Sequence, residues 1–221
     1  MNFTVKNCSK IIVQNSKQQS DLLNLFDRKG VLVTQASKPV KSVELIDKSS
    51  NKLEVVWIAN LKPIKQPEVF LKLVKNFIND SRINFTMVGK PSKNYYRVIS
   101  ELDHVSNFKF LGQIDNRRVN DLLLKSHVLI NTSISEGFSN TFVQAWLRKT
   151  VVVSMNSNPD NILTDKRIGF VEGTLSDICT RLEFLLENNK DLVDIGDKAY
   201  EYAMNNHNIE KNLERVIELL K

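Results

Sequence analysis

Cysteine is scarce in this chain of 221 residues: only Cys8 and Cys179 occur, far apart. That count excludes a disulfide framework or a clustered cysteine-rich metal site and suits a reducing cytoplasm. Long apolar runs are lacking too. No stretch of about 18 apolar residues is present to cross a bilayer. The first twenty residues, MNFTVKNCSKIIVQNSKQQS, hold no apolar core of the kind a secretory signal needs. No internal repeat or low-complexity tract stands out. An Asp-x-Asp triplet is missing, and its nearest relative, Glu101-Leu102-Asp103, reads as a helix face. His104, His127 and His207 are too scattered for a metal-ligand spacing, so no metal and no cofactor is expected. His127 opens a buried strand and reads as structural.

Hydrophobic residues make up 42% and charged residues 25%, the balance of a protein with a packed core. The charge is uneven. Residues 1–65 carry 11 Lys/Arg against 5 Asp/Glu, residues 66–171 carry 14 against 9, and residues 172–221 carry 6 against 11. A basic body with an acidic tail draws anions: phosphates, nucleotides, nucleic acid or an acidic membrane face. An ordinary lysine-rich surface reads the same way. Nucleic acid fits least, because the basic residues are dispersed and no aromatic residues interleave with them as a stacking platform.

Short apolar runs recur at 20- to 30-residue intervals: Val55–Ile58, Phe85–Val88, Phe108–Leu111, Val128–Ile130 and Val151–Val153. They are mostly continuous, as parallel strands covered on both faces are. Helical stripes fall between them: Phe70, Leu73, Val74 and Phe77; Val119, Leu122 and Leu123; Phe142, Val143, Trp146 and Leu147. Repeated strand–helix units with right-handed crossovers predict an α/β fold, a Rossmann-like doubly wound parallel sheet. The tail predicts three helices without a strand between them: one on Leu175, Ile178, Leu182 and Leu185, one over 190–205, and an amphipathic one from Ile209 to Leu220. At the head, strands at 10–13 and 31–33 flank a helix at 17–26. Such a unit is too small to bury its own core and reads as the last piece of a neighbouring domain. Residues 36–53 are polar and read as a connector.

Ligands of such sheets bind beyond the carboxyl ends of the strands. The most informative segment there runs from Asn131 to Thr141 (NTSISEGFSNT). Gly137 lets the backbone approach a ligand. Ser139, Asn140 and Thr141 fall where a helix starts, so free amides suit a diphosphate. An ordinary helix cap by Ser139 or Asn140 is the commoner use of such residues. Glu136 suits sugar hydroxyls better than phosphate, and Gln144, about two helical turns on, can both donate to and accept from a diol. Lys62 and Lys65, after the first strand, sit where a diphosphate could be neutralised; solvated loop lysines look the same.

Taken together, these residues resemble the C-terminal, donor-binding half of GT-B glycosyltransferases, specifically glycosyltransferase group 1, family GT4. The matching motifs are Ala59-Asn60-Leu61 with Lys65-Gln66, Val88-Gly89, Phe110-Leu111-Gly112, and a Glu-x7-Glu signature opening at Glu136-Gly137-Phe138 and reaching Gln144. The resemblance covers about residues 50–221. It implies that Lys65 contacts the diphosphate of a nucleotide-sugar, Glu136 holds the transferred sugar, the backbone of Gly137, Phe138, Ser139 and Asn140 holds phosphate, and Gln144 meets the ribose. Two departures stand out: Asn60 replaces an arginine, with Lys62 as a substitute cation, and Gln144 replaces the second glutamate.

The resemblance further implies transfer of a glycosyl group to an unknown acceptor with retention, in polysaccharide or glycoconjugate biosynthesis, without a metal. It divides the chain into a remnant of an N-terminal acceptor domain with connector (1–45), a nucleotide-sugar-binding domain (46–206) and a crossover helix (207–221). The missing acceptor domain becomes the expected partner. The expected location is cytoplasmic, with peripheral contact at the inner face of the membrane as an option. Alternatives are a non-catalytic nucleotide-sugar-binding module and a fragment of a UDP-sugar 2-epimerase.

Overall fold

The computed structural model describes residues 2–39, 48 and 52–220. Six parallel strands form one sheet: β3 (Leu53–Ile58), β4 (Ile83–Val88), β5 (Phe108–Phe110), β6 (Val128–Asn131), β7 (Val151–Ser154) and β8 (Gly169–Val171). Their order is β5-β4-β3-β6-β7-β8. The chain therefore builds outward from β3 in one direction, then returns to β6 and builds outward in the other. Between β3 and β6 the connections diverge, and the crevice between their carboxyl ends is where a doubly wound sheet takes its ligand.

The continuous apolar runs are explained by burial on both faces. All four residues of β6, and all four of β7, are buried. One face packs Trp57, Phe70 and Phe85, with ring centroids about 6 Å apart, under α3 (Pro67–Asn76) and α8 (Leu175–Glu187). The other packs Phe142, Trp146, Leu163 and Ala199 under α5 (Asn116–Lys125), α6 (Asn140–Trp146), α7 (Ile162–Asp165) and α9 (Asn189–Asn206). Each fully buried large side chain contributes roughly 1.5–3 kcal/mol. Helix starts follow local chemistry: Pro67 opens α3, and the Asp115 carboxylate caps α5 by accepting from the Arg118 amide.

Four elements escape the sequence pattern, among them the four-residue α7. Strand β8 has three residues and begins at Gly169, too short to show a period. Helices α1 (Asn2–Asn7) and α4 (Tyr96–Ser100) span six and five residues and lack a stripe. The expected tail is present: α8, α9 and α10 (Ile209–Leu220) follow one another without a strand. Ile209, Leu213 and Ile217 on α10 are exposed.

The head is a parallel pair, β1 (Ile12–Val13) and β2 (Val31–Leu32), linked by α2 (Ser16–Phe26). It meets the sheet body at a joint where residues 34–37 lie along residues 206–212. Ser37 donates to the His207 carbonyl (3.1 Å) and accepts from the Ile209 amide (3.2 Å). Most of the connector expected over 36–53 lies outside the described residues. One of its members is not solvated as a connector residue should be. Lys48 is buried, its ammonium donating to the Leu123 and Ser126 carbonyls and the Thr150 hydroxyl. Burial first, then the charges of Arg148 and Lys149, hold its pKa well below the usual lysine value.

Candidate functional site

Polar residues at the end of β6 strap two loops together. The Thr132 hydroxyl donates to the carbonyls of Lys65 (2.6 Å) and Gln66 (3.1 Å) and accepts from the Trp57 indole N–H (2.9 Å). The Ile134 amide adds a bond to the Ile64 carbonyl (2.9 Å). Gln66, in the left-handed region at φ 46°, turns the chain from the 3-10 turn Pro63–Lys65 into α3. These bonds bring two distant residues face to face: Lys65 Nζ lies 3.0 Å from Glu136 Oε1.

Glu136 is the best-held side chain of the crevice. Its Oε1 also accepts from Asn131 Nδ2 (2.7 Å) and Ser133 Oγ (2.6 Å). Burial pushes its pKa up, but the bonds from Ser133, Asn131 and Lys65 outweigh burial and leave it below the ordinary glutamate value. The side chain is thus a carboxylate at neutral pH. It accepts hydrogen bonds and has no proton to give. All three contacts fall on Oε1, which leaves Oε2 without a partner among the described residues.

A cavity of about 370 Å3 opens beside it, lined from the loops by Glu136, Gly137, Asn156 and Asp160 and from the head by Asn15 and Gln18. This lies within the size of small-molecule sites, about 300–1,000 Å3. Two contacts cross it. Asn15 Nδ2 donates to the Gly137 carbonyl (3.2 Å), and the Ser16 amide donates to both carboxylate oxygens of Asp160 (3.1 and 3.0 Å). The walls offer amides, hydroxyls and carboxylates, the groups that bind a ligand rich in hydroxyls.

The residues expected to form the site separate into two groups. Lys65, Glu136 and Gly137 converge on the crevice, and Asn60 and Lys62 stand exposed on the loop after β3. Ser139 sits at the N-cap position of α6, but neither it nor Asn140 caps the helix as the commoner reading has it. The Ser139 hydroxyl pairs with Thr141 Oγ1 (2.8 Å) and makes no cap bond. The Phe138 ring packs against Trp146 and His207, at 6.3 and 5.1 Å between centroids. The expected spacing of Gln144 from Glu136 needs correction. Helix α6 starts only at Asn140, so Glu136 lies in a loop and eight residues do not translate into two helical turns. Gln144 is buried against α5, its Nε2 donating to Asn116 (2.7 Å) and Asn120 (3.3 Å).

Sequence reasoning singled out the segment from Asn131 but gave Asn131, Thr132 and Ser133, which hold the site, no role in it, and it missed Asn15 and Asp160, which close the crevice. A run of polar residues directly after the buried Val128–Ile130 was the available signal for the first three. The last two gave none, because only folding brings them together.

The family model described as Glycosyl transferases group 1 matches residues 41–202. Among curated proteins, the trehalose synthases of Thermococcus litoralis and Pyrococcus furiosus are each 27% identical over 204 residues, covering 91% of this chain and 48% of theirs. The chain thus spans about half the length of these relatives. Among solved structures, TarM of S. aureus, with Fondaparinux, alpha-GlcNAc-glycerol and UDP, superposes with a TM-score of 0.80 at 20% identity, over 98% of this chain and 45% of that one. HepE of Anabaena, in complex with UDP-glucose, gives 0.81 at 16% identity, over 99% and 65%. At such identity the likeness establishes the α/β, GT-B-type Rossmann-like fold.

Proposed function

The chain belongs to the family of glycosyl transferases group 1, and from that premise we propose that it is the donor-binding half of a sugar-transferring enzyme. A nucleoside diphosphate sugar lies at the crevice between β3 and β6. One observation carries this reading: an ionised, three-fold anchored Glu136 beside the Lys65 ammonium at a sheet's switch point. A sugar needs an acceptor for its hydroxyls, and a diphosphate needs a cation; the pair offers both within one contact.

In this reading Glu136 Oε2 accepts from sugar hydroxyls. Lys65 and the backbone amides from Gly137 to Asn140 carry the charge that grows on the departing diphosphate. Gln144 faces the ribose. With its Nε2 spent on Asn116 and Asn120, it presents only an oxygen acceptor, the same chemistry a glutamate offers there. Asn60 and Lys62 flank the diphosphate end. We take the transfer to proceed with retention, on the GT4 pattern, toward a polysaccharide or glycoconjugate. We take it to need no metal, since Lys65 supplies the cation. The acceptor is met by a further domain, in keeping with relatives about twice as long. The two unpaired cysteines and the basic body fit work in the cytoplasm or at the inner face of a membrane.

Calorimetric titration with a panel of nucleotide sugars tests the reading. UDP-glucose comes first, because HepE was solved with it and trehalose is built from glucose. Binding that persists in excess EDTA is the expected result. Absence of binding to every member of the panel would overturn the proposal.

A further inference from the structure

We propose that His207 is a positioning residue for the loop that carries Glu136, tying that loop to the joint between head and sheet body. The inference rests on the donor-site reading above and assigns a role to a residue outside the crevice.

His207 is completely buried. Its Nδ1 lies 2.7 Å from the Gln35 carbonyl in the joint. A carbonyl only accepts, so Nδ1 carries the proton and Nε2 the lone pair. Nε2 is buried without a partner among the described residues, as is Trp146 Nε1. The imidazole is therefore held by one hydrogen bond on one edge and by ring packing elsewhere: Phe138 at 5.1 Å, Tyr202 at 5.4 Å and Trp146 at 5.7 Å between centroids. Phe138 is two residues from Glu136.

The same loop is gripped from its other side. Asn15 donates to the Gly137 carbonyl, and its neighbour Gln14 donates through Nε2 to Gln35 Oε1 (2.7 Å). A closed circuit results, from Gly137 through Asn15, Gln14 and Gln35 to His207, and back through Phe138. Ile134, Ser135 and Gly137 are exposed and have little packing of their own. Without the two grips, the loop is held by the Ile134 amide on the Ile64 carbonyl and by the Glu136 bonds. An alanine at 207 loses both the hydrogen bond and the ring. A phenylalanine would pack but leave the Gln35 carbonyl without its donor. Histidine meets both demands.

The test compares wild type, His207→Ala and Phe138→Leu; Phe138→Leu should fold even if His207→Ala does not. Hydrogen exchange read by mass spectrometry requires no ligand. Exchange across residues 134–138 should rise about tenfold or more in both variants, while β6 and β7 stay protected. Titration with UDP-glucose and UDP should show a reduced preference for the sugar-bearing ligand. In a Glu136→Gln background the same substitutions should reduce it no further, because they act through that side chain. Unchanged exchange in 134–138, or a preference that falls additively with Glu136→Gln, would overturn the assignment. Failure of the wild-type chain to bind any nucleotide sugar would instead overturn the donor-site reading, and the exchange result would still decide the role of His207.

Discussion

In the proposed donor site, replacing Glu136 with glutamine should affect the sugar end of the ligand and spare its nucleotide end. The substitution keeps the volume, and the amide oxygen can still accept from Asn131 and Ser133, whose donors lie 2.7 and 2.6 Å away. It removes the charge facing Lys65 and turns the second oxygen into a donor. A hydrogen bond to a charged group contributes about 1.5–3 kcal/mol and one between neutral groups about 0.5–1.5. The loss at a sugar hydroxyl is then about 1–2 kcal/mol, or roughly 5- to 30-fold in affinity for UDP-glucose. UDP alone should bind as well as before or more tightly, because a negative charge has left the neighbourhood of its diphosphate and Lys65 is released. The fold should lose no more than about 1 kcal/mol, or roughly 2–4 °C in Tm, since Lys65 is partly solvated and its ion pair partly screened. Paired calorimetric titrations with the two ligands, on protein checked by thermal denaturation, give the answer. Equal weakening of both ligands would show that the carboxylate does not touch the sugar.

Lys65→Ala should weaken UDP binding by about 1–3 kcal/mol, the range for a charge-assisted hydrogen bond, with the loss shrinking at high salt; a dissociation constant that does not move would remove this lysine from the site. Gly89→Ala should destabilise the domain by several kcal/mol or abolish soluble expression. A Cβ there would stand 1.7 Å from the Ala59 carbonyl oxygen, at a φ of 155°, and neither backbone can yield without breaking β3 or β4; normal denaturation of this variant would contradict the packing. Lys48 has a folded-state pKa held below its unfolded value, first by burial and then by Arg148 and Lys149. The unfolded chain therefore binds more protons, and stability rises with pH toward the free-lysine value near 10.4. In urea denaturation between pH 7.5 and 9, wild type should gain on Lys48→Met as the pH rises; parallel pH profiles would refute the lowered pKa.

Much of the sheet was readable because its strands have one demand, burial on both faces, and a chain can meet it only with runs such as Val128-Leu129-Ile130. Helices α3 and α5 were equally plain, each bearing a stripe and an opening residue suited to its first turn. Strand β8 was not, since three residues at a sheet edge need neither period nor bulk. Strand topology put the Lys65 loop and the Glu136 segment at the same end of the sheet, but the ion pair between them was not legible. Seventy-one positions of chain separate them, and no local pattern encodes that proximity. Gln144 was misplaced for the opposite reason: a regular interval invites a helix that starts four residues too late to carry it.

The order of apolar runs, their spacing and the turn-forming residues between them are properties of the chain itself. They determined a parallel sheet wound in two directions and the loops that edge its crevice, because burial and backbone chemistry act locally. Which oxygen of Glu136 is occupied, where Phe138 points, and how Asn15 and Asp160 meet across the cavity depend on side chains from distant segments competing for the same donors. That competition is resolved only when the strands have set their register and the head has docked at the joint through His207.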